Sequence, residues 1–465
     1  MCAPRGGGNE TSMLNEQLAD SNATKETLVR VIKIMTELGD MSKRSQPAHG
    51  CNLQHRLPQL TRSQLMLPVY RSFRKLSRAS LFLLLAMLLC GCSGSSSGDD
   101  LILVAEFEGG QLYKAGPVSV LKLHGTHHEM GRQYGMLLKD DLNAAFNLLI
   151  ATGSPSFSYD RMKQIADNVY GRIPQQHQDI IVGMSETSGL GLEKQTILNA
   201  LEWIPKIDAF VPHCSGIGVW GDYTKDGSLI FGRNNDDDLD TYGNFGPYVG
   251  VAVFNPTDSG MPVALVNYAG VVYAATGMNS AGIFMELNSG TQQPPYYYVN
   301  RSLLLSTLFS FLEAYSTQDQ INTAFQGVSA DISSIVNVAA PTIAYSFEIP
   351  LTGVKRRSPD DNGLLAATNH FVDPSWGIPP PDPDSANAWT ALRRNNLLAF
   401  AAAHKGSLDV DKIKEVIATP IANGGVLDPG TIYQVVAVPK DLTIWLRTPN
   451  HYDWQKIDLN KVFIF

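Results

Sequence analysis

Cys214 lies in Pro212-His213-Cys214-Ser215-Gly216, and none of the chain's other four cysteines falls beyond position 92. A disulfide within the last 373 residues is therefore excluded, which leaves the thiol as a small buried hydrophobe or a nucleophile. A thiol is a weak nucleophile until a base or a nearby cation favours the thiolate. His213 is a poor base for it, because neighbours on a strand point to opposite faces. Another base appears once the His213–Cys214 bond is cut. The freed α-amino group has an ordinary pKa of about 7.7–8.0, suited to proton transfer near neutrality.

Other polar clusters are weaker candidates. Asp236-Asp237-Asp238-x-Asp240 has carboxylates at calcium-loop spacing, but no glycine at the sixth position and no glutamate at the twelfth. It reads as a solvated acidic turn. His124, His127, His128 and Glu129 fit no ordinary zinc spacing and read as capping or surface residues. Tyr296-Tyr297-Tyr298 lines an acyl pocket on one reading and packs or forms a lid on the other. Gly232 and Gly277 read as turn glycines.

Four motifs carry a resemblance to a known family. The first runs from Cys214-Ser215 through Lys225-Asp226-Gly227 to Phe231-Gly232-Arg233-Asn234-Asn235-Asp236. The second is Gly277-Met278-Asn279-Ser280-Ala281-Gly282-Ile283, ending at Leu287-Asn288. The third is Thr368-Asn369-His370-Phe371, and the fourth Thr390-Ala391-Leu392-Arg393. The chain resembles the N-terminal-nucleophile (Ntn) hydrolases of the choloylglycine hydrolase and penicillin V acylase branch. His124-Gly125, Glu129, Gly131, Tyr134 and Gly135 make it more similar to the acyl-coenzyme A:6-aminopenicillanate acyltransferase-like subset, peptidase family C45. The likeness covers residues 116–450 in motifs rather than end to end.

The resemblance implies an α+β fold, an αββα sandwich of two mostly antiparallel sheets between helical layers. It implies cleavage between His213 and Cys214, with the fragments remaining associated. Cys214 would then form a thioester with a small-molecule acyl amide. Arg233 would lower the thiol pKa, Asp236 would bind the new α-amine, and Asn288 and Asn369 would hold the oxyanion. Arg393 is the site arginine on this alignment, and Arg394 is the alternative one residue away. No cofactor or metal is implied. The expected activity is hydrolysis of a linear, non-peptide carbon–nitrogen amide. Acyl transfer, or an envelope lipoprotein keeping the fold without catalysis, are the alternatives. Loss of Cys214, Arg233 or Asn369 would favour the last, and all three are present.

The chain's start carries a separate signal. Arg71, Arg74, Lys75 and Arg78 precede the apolar run Leu81–Leu89, which is followed by Cys90-Gly91-Cys92-Ser93. Basic, apolar, then small residues is the order of a secretory signal peptide, and the run is too short to span a bilayer. Leu89-Cys90-Gly91-Cys92 resembles a bacterial lipobox. That implies lipidation of Cys92 and an envelope location, anchored in the outer membrane and facing the periplasm. The expected organisation is 1–65 as an N-terminal extension, 66–91 as signal peptide, 92–103 as flexible tether, 104–213 as propeptide or α segment, and 214–465 as catalytic segment. Residues 1–65 read either as an upstream mis-start before Met66 or as a retained segment with a helix over Glu26–Leu38.

Residues 92–465 hold 24 of the 36 basic and 38 of the 44 acidic residues, a net charge of about −14. Such a surface repels phosphate backbones and disfavours nucleic acid as a partner.

Patterning places the motifs on elements. Val118–Leu123 alternates as a strand and leads into a helix over Glu129–Leu148. Arg161–Thr187 is helical with breaks at Pro174 and Gly183, and Glu193–Ile207 is a further helix. Strands are expected at Gly216–Trp220, Leu229–Gly232, Tyr248–Phe254, Pro262–Tyr268, Val271–Thr276, Gly282–Leu287, Ile343–Glu348, Gly363–Thr368, Tyr433–Val438 and Thr443–Arg447. Residues 300–326, Trp389–His404 and Val410–Thr419 are expected as helices. Clusters of strands alternating with clusters of helices suggest sheets covered by helical layers.

Overall fold

The computed structural model describes residues 101–152, 158–204, 214–238, 242–290, 297–382 and 388–464. The chain divides into two units, Met1–Gly94 and Ser95–Phe465, and every described residue belongs to the second. The signal peptide, Cys92 and His213 lie outside the described residues. Among the described residues no helix is long and apolar enough to cross a membrane.

The described part opens with β1 (Ile102–Phe107), β2 (Gly110–Ala115) and β3 (Val118–Gly125). Helices α1 (His127–Leu137), α2 (Lys139–Thr152), α3 (Tyr159–Tyr170), α4 (Gln175–Thr187) and α5 (Gly191–Asn199) follow. Then come β4 (Ser215–Gly221), β5 (Gly227–Asp236), β6 (Val249–Pro256), β7 (Val263–Tyr268), β8 (Thr276–Asn279) and β9 (Phe284–Ser289). Helices α6 (Leu304–Ala314) and α7 (Gln318–Phe325) precede β10 (Ser334–Ala339), β11 (Ala344–Ile349), β12 (Lys355–Arg357) and β13 (Leu364–Ala367). The chain closes with α8 (Ala388–Ala403), α9 (Val410–Ala418), β14 (Thr431–Val438), β15 (Thr443–Thr448) and β16 (Tyr452–Asp458).

One sheet has ten strands in the order β1-β2-β3-β6-β7-β8-β9-β10-β11-β12, and the other six in the order β13-β4-β5-β14-β15-β16. Every pairing is antiparallel except β3 with β6. The sheets face each other: Phe231 of β5 packs on Phe284 of β9 with ring centroids 5.4 Å apart. Helices α1 and α6 cover the outer face of the larger sheet, and α8 and α9 that of the smaller. This is the expected α+β sandwich, and a large apolar cluster runs through it.

Several expectations need correction. The helix expected over Glu129–Leu148 is two, α1 and α2, with Leu138 between them. The 300–326 stretch likewise splits into α6 and α7, the second opened by a capping box at Thr317 and Gln320. Val271–Ala275 is not a strand; pairing starts at Thr276. Pro174 does begin a helix, at the N-cap of α4, but Gly183 breaks nothing. A Cβ on Gly183 would stand 2.2 Å from the His128 carbonyl oxygen, and one on Gly131 would stand 2.1 Å from that of Ile180. These glycines let α1 and α4 meet backbone to backbone. Gly232 and Gly277 lie inside β5 and β8 rather than in turns. A Cβ on Gly232 would sit 2.5 Å from Ile413 Cγ2 of α9, and one on Gly277 2.9 Å from Leu312 Cδ1 of α6.

Candidate active site

The hairpin of β4 and β5 sets the first part of the site. The turn between its strands is closed by Asp226, whose carboxylate accepts from the Ser228 backbone, and Gly227 takes φ +79°. The register pairs Ser215 with Asn234 and Gly216 with Arg233. Side chains alternate across β5. Asn234 faces the helical layer, where its amide donates to the Ile417 and Val426 carbonyls at 3.0 and 3.2 Å. Arg233 faces the opposite sheet and is fully buried.

Arg233 reaches two partners there. Its Nη2 lies 3.9 Å from Cys214 Sγ, while Nη1 pairs with Glu286 of β9 and donates to the Leu287 carbonyl at 2.9 Å. Glu286 is itself fully buried and accepts from Asn337 of β10. A Cβ on Gly216 would stand 2.4 Å from Glu286 Oε1, so only glycine leaves room for this carboxylate between the sheets.

The second arginine completes the cluster. Arg393, fully buried on α8, donates from Nη1 to Asp236 Oδ2 at 3.0 Å and to the Cys214 carbonyl at 3.2 Å. Its Nη2 donates to Asn369 Oδ1 at 2.6 Å. Arg394 points elsewhere, pairing with Asp360. Of the two, Arg393 is the arginine beside Cys214.

The loop after β13 is fastened to α8 by two threonine hydroxyls. Thr390 Oγ1 accepts from the Asn369 backbone at 2.8 Å, and Thr368 Oγ1 donates to the Thr390 carbonyl at 2.9 Å. The Asn369 amide nitrogen donates to the Ser289 carbonyl at 2.8 Å. Asn288 is different. It is fully buried, and neither atom of its side-chain amide has a hydrogen-bond partner among the described residues. It stands two residues from Glu286 on β9, and so on the same face of the sheet. Asn279 holds the turn before β9: its Oδ1 accepts from the Ala281 and Ile283 backbone at 3.1 and 2.9 Å.

The electrostatics favour a neutral thiol. Burial pushes Cys214 up to about 12; Arg233 pulls the other way, and Asp236 adds to the rise. The expectation that Arg233 lowers the thiol pKa is right in sign but is outweighed by desolvation in this continuous chain. Burial also raises Asp236 to about 7, against the pull of Arg393 and the hydrogen bond from Thr431, 2.6 Å away. His370, in the same loop as Asn369, is depressed to about 4 by burial and by the nearby Arg394 and Arg357.

A small cavity adjoins the thiol, lined by Glu202, Cys214, Arg233, Asn235, Asp236, Asp237, Ala275, Leu287, Ser289 and Leu305. Tyr297 and Tyr298 do not line it. Tyr297 accepts from Arg172, and Tyr298 lies under the Arg301 guanidinium. Tyr296 lies outside the described residues. In the acidic run Asp236 pairs with Arg393, and Asp240 lies outside the described residues. Among the described residues no group of three or more His, Cys, Asp and Glu is arranged to hold a metal ion. Of the candidate histidines, His127 is buried between Asp258 and Glu313, and Thr126 and Glu129 form the capping box of α1.

Sequence reasoning missed Glu286, Thr431, Asn235 and Glu202. Glu286 had a visible signal, a carboxylate inside the apolar stretch Phe284–Leu287, which in a buried strand calls for a cation. Thr431 had none.

No family model matches the chain. Two curated Dictyostelium discoideum proteins, dcd1B and dcd1A, are each 22% identical to it, over 344 and 289 residues. The matches span 64% and 53% of this chain and 67% and 64% of those proteins. Among solved structures, it is similar to a Caenorhabditis elegans ortholog of N-acylethanolamine-hydrolyzing acid amidase, with TM-score 0.39, 16% identity, and 53% of this chain and 100% of that one covered. A conjugated bile acid hydrolase from Clostridium perfringens gives TM-score 0.39 at 14% identity, over 53% of this chain and 93% of that one. Penicillin V acylase from Agrobacterium tumefaciens gives 0.38 at 13%, over 53% and 87%.

Proposed function

We propose that this protein is a cysteine amide hydrolase that cuts its own chain before Cys214 and then cleaves linear, non-peptide amides through a Cys214 thioester. The observation that carries the reading is the single cluster joining Cys214 to Arg233, Asp236, Asn369 and Arg393, with Arg233 Nη2 3.9 Å from the sulfur.

The chemistry follows from the groups present. In the uncut chain, Sγ attacks the His213 carbonyl, the peptide nitrogen leaves as the α-amine of Cys214, and water hydrolyses the thioester. The new amine supplies the base that the buried, protonated thiol lacks. In this reading the Asp236 carboxylate, which also accepts from Arg393 and Thr431, holds the resulting ammonium. In turnover the amine takes the thiol proton as sulfur attacks the substrate carbonyl, and delivers it to the departing substrate nitrogen. The amide of Asn288, which has no hydrogen-bond partner among the described residues, is the oxyanion donor in this reading, a contact worth about 3–4 kcal/mol of barrier. The Asn369 amide gives one N–H to the Ser289 carbonyl, and its NH2 carries the second oxyanion donor in this reading. No step calls on a cofactor.

We place the protein at a bacterial envelope, held by lipid on Cys92; Cys92→Ser should then move it from the membrane fraction to the soluble one. For the activity, Cys214→Ala should give an uncut chain without amide hydrolysis. A Cys214→Ala protein that is cut and active would end the proposal.

A further inference from the structure

The hydroxyls that fasten the loop after β13 to α8 meet a third side chain. His370 Nδ1 lies 3.1 Å from Thr390 Oγ1 and 3.2 Å from Thr368 Oγ1, and the two hydroxyl oxygens are 2.9 Å apart. In either tautomer the imidazole completes the ring, as donor to the hydroxyls or as acceptor from Thr390. All three residues are buried, Thr368 and Thr390 completely. A satisfied ring of this kind holds one arrangement, because breaking a bond strands a polar atom away from water. The ring reaches Asn369 at its backbone, where Thr390 Oγ1 accepts from the amide at 2.8 Å. Thr390 also stands one turn before Arg393 on α8, and Arg393 Nη2 donates to Asn369 Oδ1 at 2.6 Å. One ring of hydrogen bonds therefore sets the register of both groups that converge on Cys214. Burial keeps the imidazole neutral, helped by Arg394 and Arg393 of α8 and Arg357 of β12, and Asp360 after β12 opposes them.

We propose that His370 is a positioning residue for the Cys214 reaction: it holds the Thr390 hydroxyl, and through it aims Asn369 at the oxyanion. The inference rests on the amide-hydrolase reading and adds a residue to it. His370 acts through Thr390 rather than on the substrate. Its contribution is one hydrogen bond at Nδ1, not the volume of its ring and not a charge.

The test uses the purified full chain and two probes, the phenylacetyl and decanoyl amides of 4-nitroaniline, with rates taken per fragment beginning at Cys214. His370→Phe keeps the bulk of the ring and removes the hydrogen bond. It should lower kcat about tenfold or more and leave KM within about twofold, since an oxyanion donor acts in the transition state. His370→Asn places an amide where Nδ1 stands and should recover most of kcat. His370→Gln places it one bond further out and should not. A residue that only fills space gives the opposite order, with phenylalanine the best replacement. The double variant His370→Phe/Thr390→Val should lose no more than Thr390→Val, because both act through one hydroxyl. Full kcat in His370→Phe, phenylalanine above asparagine, or losses that multiply in the double variant overturns the proposal while amide hydrolysis stands. Where His370→Phe fails to fold, asparagine against glutamine decides, and equal kcat in those two overturns it. A parent protein that hydrolyses neither amide overturns the amide-hydrolase reading and this role with it.

Discussion

Replacing Arg233 by methionine should damage stability and chemistry through different atoms. Arg233 and Glu286 form an ion pair that is fully buried between the sheets. Removing one partner of such a pair costs about 3–5 kcal/mol, because the other charge stays desolvated. Glu286 can escape part of that cost by taking a proton. Burial already raises its pKa above the ordinary 4.5, with Arg233 and Asn337 restraining the rise. Without Arg233 the rise is larger. A carboxyl whose folded pKa is raised loses stability as pH climbs through that value. Arg233→Met should therefore be close to the parent protein at pH 5 and several kcal/mol weaker at pH 8, in urea unfolding followed by tryptophan fluorescence. Arg233→Met/Glu286→Gln should recover most of the loss, since glutamine still accepts from Asn337, yet stay inactive because the cation beside the thiol is gone. A single variant that loses less than about 1 kcal/mol at pH 8, or a double variant as weak as the single, would refute this account of the pair.

Two further outcomes follow from the buried groups. His127 lies between Asp258 and Glu313, 2.7 and 3.0 Å away, and Glu313 also accepts from His177 at 2.8 Å. Burial pulls His127 down but the two carboxylates more than offset it, so its pKa lies above 6.5; Glu313, whose burial is offset by both histidines, lies below 4.5. The His127 contribution is complete below pH 6.5 and lost as pH rises through its folded pKa; that of Glu313 is present above pH 4.5 and lost as pH falls through its folded pKa. His127→Gln should accordingly flatten the alkaline side of the stability–pH curve, measured by urea unfolding, and an unchanged curve would count against a charged His127. The thiol gives the other outcome. In chains kept uncut, iodoacetamide labelling of Cys214 should be negligible at pH 7.5, since burial holds that thiol near 12, and labelling at the rate of a free cysteine would contradict it.

Much of the site was legible because its chemistry sits in short motifs. Cys214, Arg233 and Asp236 share one hairpin, so a single register brings two of them to the thiol. Asn369 and Arg393 lie on different elements, but Thr390, within the fourth motif, ties them together. Long-range partners were less visible. Glu286 meets Arg233 only when two sheets stack, and Thr431 meets Asp236 only through β14 pairing with β5. The strands were read where alternation or turn residues marked them. β1, β2, β10, β12 and β16 were missed; Ser334–Ala339 in β10 is buried on both faces, and so lacks alternation. Gly183 was misread as a breaker because its role, helix-to-helix contact, depends on α1, which lies far upstream in the chain.

The central claim is that Cys214 becomes an N-terminus. Mass spectrometry of fragments from the purified chain, expressed from Met66, tests it most directly. The account predicts a fragment beginning at Cys214, absent in Cys214→Ala. A chain intact through His213–Cys214 that nevertheless hydrolyses amides would contradict it.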